Sequence, residues 1–319
     1  ADAYRTRGIP VVMGGIHASM LPAEALCHAD AVVSGEVEGI WAKVLEDFQA
    51  GCMSGLYQGP QLDLESSEIL PRRELLHPDY FWQPVQTSRG CPFDCSFCSV
   101  SRYLGRRYRQ RTAASVLREL ESIQGKHVIF LDDNLIGYSD EARSRALAIF
   151  DGMISRKIDK KWWMQASINV ADDELVLQRA SESGCTHVFI GFETTEEGAL
   201  QEMHKGINLK TGVSNYAEVV KRLHAARIGV MGAFIIGNDH ETDAYYHSLA
   251  GFIIRAGIDI VQISILTPLP GTALMDKVVA EGSLLYRDFP ADWEKFRFSY
   301  LTHQPEGTSV DSVYTGNNR

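Results

Sequence analysis

Apolar residues along this chain fall into short runs that alternate with longer stretches whose hydrophobic positions recur every third or fourth residue. The runs have the pattern of buried strands and the longer stretches that of amphipathic helices. In residues 1–52 the alternation reads strand–loop–helix twice. Ile9–Met13 is a strand ended by Gly14 and Gly15, with a helix over about Pro22–His28. Ala31–Ser34 is a second strand ended by Gly35 and Glu36, with a helix over about Gly39–Ala50 stopped by Gly51. Such alternation indicates a parallel, doubly wound sheet. Two strands are few for that sheet and the first begins almost at residue 1, so the chain reads as starting inside a domain. Periodicity then lapses, Pro60 and Pro71 intervene, and residues 53–83 read as a linker whose Tyr80, Phe81 and Trp82 pack against the downstream unit.

From Pro84 the strand–helix pattern repeats six times. The expected strands are Pro84–Ser88, His127–Leu131, Trp162–Ala166, His187–Gly191, Val230–Ile236 and Ile258–Ile265, the last ending in the turn Pro268–Thr272. Between them the pattern predicts helices over Thr112–Gln124, Ser139–Arg156 and Asp172–Ser183, several between Glu196 and Arg227, and one over His240–Ala256. Thr112 is a fitting N-cap and Gly125 a fitting stop. Six repeats fall short of a closed eightfold barrel. The chain therefore reads as α/β, with residues 84–281 one barrel-like unit and residues 282–319 an extension whose Trp293, Phe296 and Tyr300 cap the open side.

Composition narrows the picture. The 319 residues are 45% hydrophobic and 23% charged, as in soluble globular proteins. No run of apolar residues is long enough to span a membrane, and no signal peptide opens the chain. A net charge of −10 argues against a nucleic-acid partner. Of the six cysteines, Cys91, Cys95 and Cys98 are clustered as C-x3-C-x2-C, which suits a reducing cytoplasm better than a disulfide framework.

That cluster follows the first barrel strand, and Pro92, Asp94 and Ser96 make it a polar loop rather than core. Soft thiolates gathered this way select iron–sulfur clusters, zinc or copper. Structural zinc wants four protein ligands, and electron-transfer cubanes take four cysteines. Three ligands on a cube of four irons leave one iron open to a substrate; a plain zinc or electron-transfer loop is the alternative. Parallel β/α units carry their reactive groups on the loops after the strands. The cysteine loop should thus share one mouth with Asp132, Asp133 and Asn134, with Gln165 and Ser167, with Glu193, and with Gly237, Asn238 and Asp239. Cys185 precedes a strand and belongs to the opposite face; Cys27 and Cys52 read as structural. Arg102, Arg106, Arg107, Arg109 and Arg111 form a basic run, either a solvated face or a balance for anionic groups and a docking site for an acidic partner.

The spacing of the three cysteines, with Phe97 before the last, resembles that of the radical S-adenosylmethionine (SAM) enzymes, and the order of elements downstream agrees. The resemblance implies a partial (β/α)6 barrel and a 4Fe–4S cluster held by Cys91, Cys95 and Cys98. Its open iron would chelate the amino and carboxylate groups of SAM. One electron, from a donor such as a flavodoxin or ferredoxin, would then release a 5′-deoxyadenosyl radical. It further implies that Asp132, Asp133 and Asn134 stand where the SAM amino group is held, although the familiar Gly-Gly-Glu form is missing. Glu193 in GFET suits the ribose hydroxyls, Phe97 lies near the adenine, and Gln165 and Ser167 complete the SAM set. For each polar residue a turn-forming or capping role is the competing reading.

The stretch VVMGGIHASMLPAEAL followed by ADAVVSGEVEGIW is similar to the last third of the cobalamin-binding domain that precedes the barrel in one subfamily. There the Gly-Gly loop and Ser-Gly-Glu turn approach the cofactor's nucleotide tail, which carries over to Gly14, Gly15, His17, Ser34, Gly35 and Glu36. Paired glycines after a strand allow close backbone approach to a ligand. The subfamily's commonest reaction is methylation of an unactivated carbon, here of a small molecule or lipid, towards which Lys205 and the Pro268–Thr272 turn also point. A radical SAM cyclisation or rearrangement is the nearer rival. Methylthiolation is disfavoured by the lack of a second cysteine triad, and a non-catalytic iron–sulfur module is the rival from another class.

Overall fold

The computed structural model describes residues 1–67, 69–77 and 79–317. At the amino end three parallel strands, β1 (Val12–Met13), β2 (Ala31–Gly35) and β3 (Gly55–Gly59), lie side by side in that order. Helices Ile16–Met20 and Pro22–His28 join β1 to β2, and Trp41–Gln49 joins β2 to β3. Their small core holds Ala18, Ala25, Ala29 and Val32. β1 is shorter than the apolar run suggests. Pro10 has no N–H to give a ladder, and the Val11 N–H donates to the Asp30 carboxylate at 2.8 Å instead. β3 lies within the stretch read as a linker. Its sequence, Gly-Leu-Tyr-Gln-Gly, offers no apolar run, and its pairing with β2 is made by backbone alone.

The larger sheet has six strands in the order β11-β10-β9-β8-β7-β4, every neighbouring pair parallel. They are β4 (Trp82–Val85), β7 (His127–Phe130), β8 (Lys161–Gln165), β9 (Cys185–Glu193), β10 (Gly229–Ile236) and β11 (Ile260–Ile265). Two short strands, β5 (Ser88–Arg89) and β6 (Arg109–Gln110), pair antiparallel on either side of the cysteine loop. The first barrel strand therefore ends before Thr87 instead of running to Ser88. The Thr87 N–H and hydroxyl and the Ser88 hydroxyl all donate to the buried Asp132 carboxylate, which takes them out of the ladder.

Helices cover one face of this sheet. Phe130, Phe150, Trp162, Phe192, Tyr216 and Phe234 are fully buried beneath them, each worth about 1.5–3 kcal/mol of apolar burial. The Phe150 and Trp162 rings stack 5.2 Å apart at 21°. Thr112, Ser139, Asp173, Thr242 and Thr272 each accept a hydrogen bond from the backbone N–H three residues on, capping their helices. The expected helix from His240 begins only at Asp243, because His240 has a left-handed φ of 62° that no helix accommodates. The helix expected from Asp172 likewise begins at Glu174, with Asp173 as its cap.

Beyond the unforeseen helix Ala273–Ala280, the three aromatic residues of the extension take different places. The Trp293 indole N–H donates to Glu24 at 2.9 Å, so this ring ties the tail to the amino-terminal unit. Phe296 is buried with Leu266 and Leu274, while Tyr300 stays partly exposed. The tail meets the end of β11, where the Ile265 N–H donates to the Phe298 carbonyl at 2.7 Å, and its Leu301 and Val313 are buried in the main core with Ile236 and Ile265. Ile260 and Val261 at its start remain exposed. Tyr80 and Phe81 are also about 60% exposed, although Phe81 stacks on His127.

Candidate functional site

The cysteine loop is shaped by backbone bonds that need nothing but protein. The Cys91 N–H donates to the Gly105 carbonyl at 3.2 Å and the Cys98 N–H to the Cys95 carbonyl at 3.1 Å. Ser96 is held from both sides, its N–H on the Met203 carbonyl at 3.0 Å and its carbonyl taking the Leu274 N–H at 2.9 Å. Gly90 opens the loop at φ 92°, where a Cβ would stand 2.2 Å from the Arg107 carbonyl oxygen; only glycine fits.

The three thiols are half-buried and feel one another. Burial pushes the Cys98 thiol up to about 11, with Cys95, Asp133 and Cys91 adding to the effect. Burial also raises Cys95, against the pull of the Lys205 ammonium. In the bare protein burial favours the protonated thiols of Cys95 and Cys98, and binding an iron or other metal releases such protons. Among the described residues no three His, Cys, Asp or Glu side chains come close enough to hold a single metal ion. A cube that meets each thiolate at a separate iron fits three such separated donors better than a mononuclear zinc site does.

The loops around the cysteines divide the expected residues into two groups. Asp132 is fully buried and spent on Thr87 and Ser88, close to the buried Arg145 guanidinium; it anchors the strand that carries the cysteines and does not face a ligand. Asn134 is also buried. It accepts the N–H groups of Ile136 and Gly137 and donates to the Ser167 hydroxyl at 3.0 Å, so Asn134 and Ser167 staple their two loops together. Gln165 offers its backbone carbonyl to the Leu135 N–H at 3.1 Å. Asn238 donates to the Ile235 carbonyl at 3.0 Å and to Glu241, whose buried carboxylate also takes the Gly237 N–H at 2.7 Å. Asp239 pairs with Lys277 at 3.2 Å.

Asp133, Glu193 and Phe97 do gather at the cysteines. Glu193 ends β9 at a left-handed φ of 65°, and its carboxylate pairs with the Lys205 ammonium. Lys205 lies 5.9 Å over the Phe97 ring; burial pulls its pKa down, but the Glu193 carboxylate, and then Cys95 and Cys98, outweigh it and raise it. Asp133 is pushed up to about 6, by burial and then by Asp132, an effect tempered by its exposed side chain. Its ionised form is thus disfavoured in the folded chain above pH 6, while below about pH 4 it is neutral folded or unfolded. Asp133→Asn should therefore raise the melting temperature more at pH 7 than at pH 4.5, which paired thermal scans check.

A cavity of about 600 Å3 opens beside Asp133. Its other wall is the amino-terminal unit, through Gly14, Gly15, Gly35 and Glu36. His17 and Ser34 do not line it. His17 pairs with Glu24 at 3.3 Å and meets the edge of Trp293, and Ser34 stands in the β2 ladder opposite Gln58. The Glu36 carboxylate takes the Leu62 N–H at 2.9 Å and pairs with Arg89 at 2.8 Å and with Arg109. The basic run is therefore split: Arg109 and Arg111 are buried against Glu36 and Glu119, and Arg102, Arg106 and Arg107 face solvent.

Sequence reasoning passed over Tyr138, whose hydroxyl lies 3.5 Å from the Cys91 sulfur, as well as Arg145 and Glu241. The Gly-Tyr pair after Asp-Asp-Asn was the one available signal for Tyr138; a buried arginine in a helix leaves none.

The profile of the Radical SAM superfamily matches residues 85–253, more than half of the chain and the span that holds all three cysteines and Glu193. The chain belongs to the radical SAM superfamily. A 4Fe–4S cluster and SAM are the cofactors that this membership implies. The radical SAM chain is 29% identical over 324 aligned positions to a bacteriochlorophyllide d C-12(1)-methyltransferase of Chlorobaculum tepidum, an alignment covering 96% of this chain and 66% of that protein. It thus spans just under two thirds of that relative's length. Its fold is similar to that of the radical SAM methyltransferase TsrM from Kitasatospora setae, with a TM-score of 0.75 at 16% identity over 97% of this chain and 71% of that one. It is also similar to the cobalamin-dependent radical SAM enzyme OxsB, with a TM-score of 0.71 at 15% identity over 99% of this chain and 54% of that one. Among the described residues no helix is long and apolar enough to cross a membrane.

Proposed function

We propose that this chain is the radical-generating part of a cobalamin-dependent methyltransferase that acts on an unactivated carbon of a small molecule or lipid. The observation that carries this is the cavity in which the Gly14, Gly15 and Gly35 turns face Asp133, whose charge reaches the Cys98 thiol. It opens bare backbone towards a flat ligand on one side and a carboxylate towards a cationic ligand on the other. When bound, the cluster would supply the electron that cleaves SAM, and cobalamin would carry the methyl group.

The residues divide the work. Cys91, Cys95 and Cys98 hold three irons, and Asp133 accepts from the SAM ammonium. Glu193 offers the ribose hydroxyls an acceptor, Lys205 balances charge between it and the thiolates, and Phe97 flanks the adenine. Ser167, stapled to Asn134, and Gln165, whose carbonyl takes the Leu135 N–H, complete the wall. Gly14, Gly15, Gly35 and Glu36 form the cobalamin side; His17 and Ser34 shape it from outside the cavity. The relative named for a bacteriochlorophyllide, and the apolar cavity residues Val12, Val33 and Leu131, both fit an apolar methyl acceptor. Exposed Arg102, Arg106 and Arg107 flank the cysteine loop and suit an acidic flavodoxin or ferredoxin in a reducing cytoplasm.

The test is anaerobic reconstitution with iron, sulfide and hydroxocobalamin, desalting, and reaction with dithionite and deuteromethyl-SAM. Retained cobalamin and a trideuteromethyl product from a pigment or lipid pool are expected. A chain that makes 5′-deoxyadenosine but retains no cobalamin would sink the methyl-transfer reading and leave a cyclisation or rearrangement.

A further inference from the structure

We propose that Tyr138 tunes the electron affinity of the iron–sulfur cluster through a hydrogen bond from its hydroxyl to the Cys91 thiolate; this rests on the cluster reading above. The loop after β7 is built to deliver that hydroxyl. Asn134 accepts the N–H groups of Ile136 and Gly137 at 3.1 and 3.3 Å, which curls the chain tightly after the strand. Gly137 completes the curl at φ 76°, where a Cβ would collide with Ala142 at 2.4 Å and with the Tyr108 ring at 2.9 Å. The Tyr138 ring is then fixed edge-on against Phe93, at 4.8 Å and 83°, and against Tyr108, at 5.7 Å and 81°. Its hydroxyl ends 3.5 Å from the Cys91 sulfur, an ordinary length for a bond to sulfur.

Either partner can donate while Cys91 is a thiol. Once the sulfur binds iron it has lost its proton, and the donor has to be the tyrosine. A donor on a cluster sulfur stabilises the reduced state more than the oxidised one, because reduction places extra negative charge on the sulfurs. Tyr138 therefore raises the midpoint and makes the cluster easier to reduce. Nothing in this requires Tyr138 to touch SAM or an acceptor, so it is a positioning residue and not a catalytic one.

The test is an anaerobic redox titration of the reconstituted full chain, with mediators and dithionite, read by electron paramagnetic resonance. Tyr138→Phe should load as much iron and sulfide as the wild type. At a fixed solution potential its ratio of reduced to oxidised cluster should fall about tenfold, the part of a charge-assisted hydrogen bond gained on reduction, or ~59 mV for a one-electron couple. Tyr108→Phe is the control, because the Tyr108 hydroxyl donates to the Asn134 carbonyl at 2.9 Å and not to a thiol; its midpoint should stay with the wild type. Site-specific 3-fluorotyrosine at position 138, a stronger donor of the same shape, should move the midpoint the opposite way, and keeps the test decisive if Tyr138→Phe loads poorly. Unmoved midpoints in both Tyr138 variants would overturn the proposal while the cluster reading stands. A wild-type chain that assembles no cluster would overturn both.

Discussion

Cys95→Ala is expected to reduce 5′-deoxyadenosine from dithionite and SAM to the level of a protein-free blank, and to leave the melting temperature within about a degree or two of the wild type. The two halves of this expectation have separate causes. The thiol is one of the three donors proposed for the cluster, so its loss would remove an iron ligand; Cys185, the remaining buried cysteine among the described residues, lies at the opposite end of β9. The loop itself does not depend on that side chain. Backbone bonds to Gly105, Met203 and Leu274 fix its course, and Cys95 is only half-buried, so truncation leaves little cavity. Cys185→Ala should show the reverse: full iron loading and product, with a stability loss of about 1 kcal/mol from a small core void. Product from Cys95→Ala at the wild-type rate, measured by chromatography beside iron and sulfide assays, would refute the assignment.

Glu36→Ala should cause the largest stability loss of any single change at the junction of the two units. Glu36 is 4% exposed and joins Arg89, Arg109 and the Leu62 N–H. Removing it leaves the buried Arg109 guanidinium without its carboxylate, and breaking a buried pair from one side costs about 3–5 kcal/mol. Arg89 keeps Glu38, which holds the loss towards the lower figure. Thermal or urea unfolding checks the size, and the double change with Arg109→Met should cost less than the sum of the singles. The pH dependence has a definite sign. Burial pushes the Glu36 carboxyl up, but Arg109, the Leu62 N–H and Arg89 outweigh it and leave it below the usual range. Its contribution is therefore present above the unfolded value, near pH 4.3, and fades as the pH falls through the lower folded value. A gap between wild type and Glu36→Ala that widened in acid would contradict this account.

What was legible in the sequence was the information carried by local spacing. C-x3-C-x2-C, the six apolar runs and the cap at Thr112 each depend on residues within a few positions of one another; the cap stands where expected and each run forms a strand, with ends shifted by a few residues. Glu193 and Asp133 could be placed near the cysteines because parallel strands bring their ends together. What was missed depends on partners far apart in the chain. Asp132 reads like a ligand until Thr87 and Ser88, some 45 positions earlier, claim its oxygens. Arg109 reads as surface charge until Glu36, 73 positions earlier, buries it. Strand β3 has no hydrophobic signature because its glycines and Gln58 pair by backbone alone. Lys205 was noticed only as part of a family likeness, and its burial between Glu193 and the thiols needed the fold.

The scaffolding of the cysteine loop bears on how the protein meets oxygen. Air strips iron and sulfide from exposed cubes, and where those inorganic atoms are themselves the scaffold their loss unravels the peptide around them. Here the bonds from Cys91 to Gly105, from Ser96 to Met203 and from Leu274 to Ser96, with the Asp132 anchor below, are all peptide or side-chain contacts that oxidation of iron does not touch. Damage of that kind would leave an intact, empty mould. Repair then becomes a matter of resupplying iron, sulfide and electrons in place, without passage through the unfolded chain.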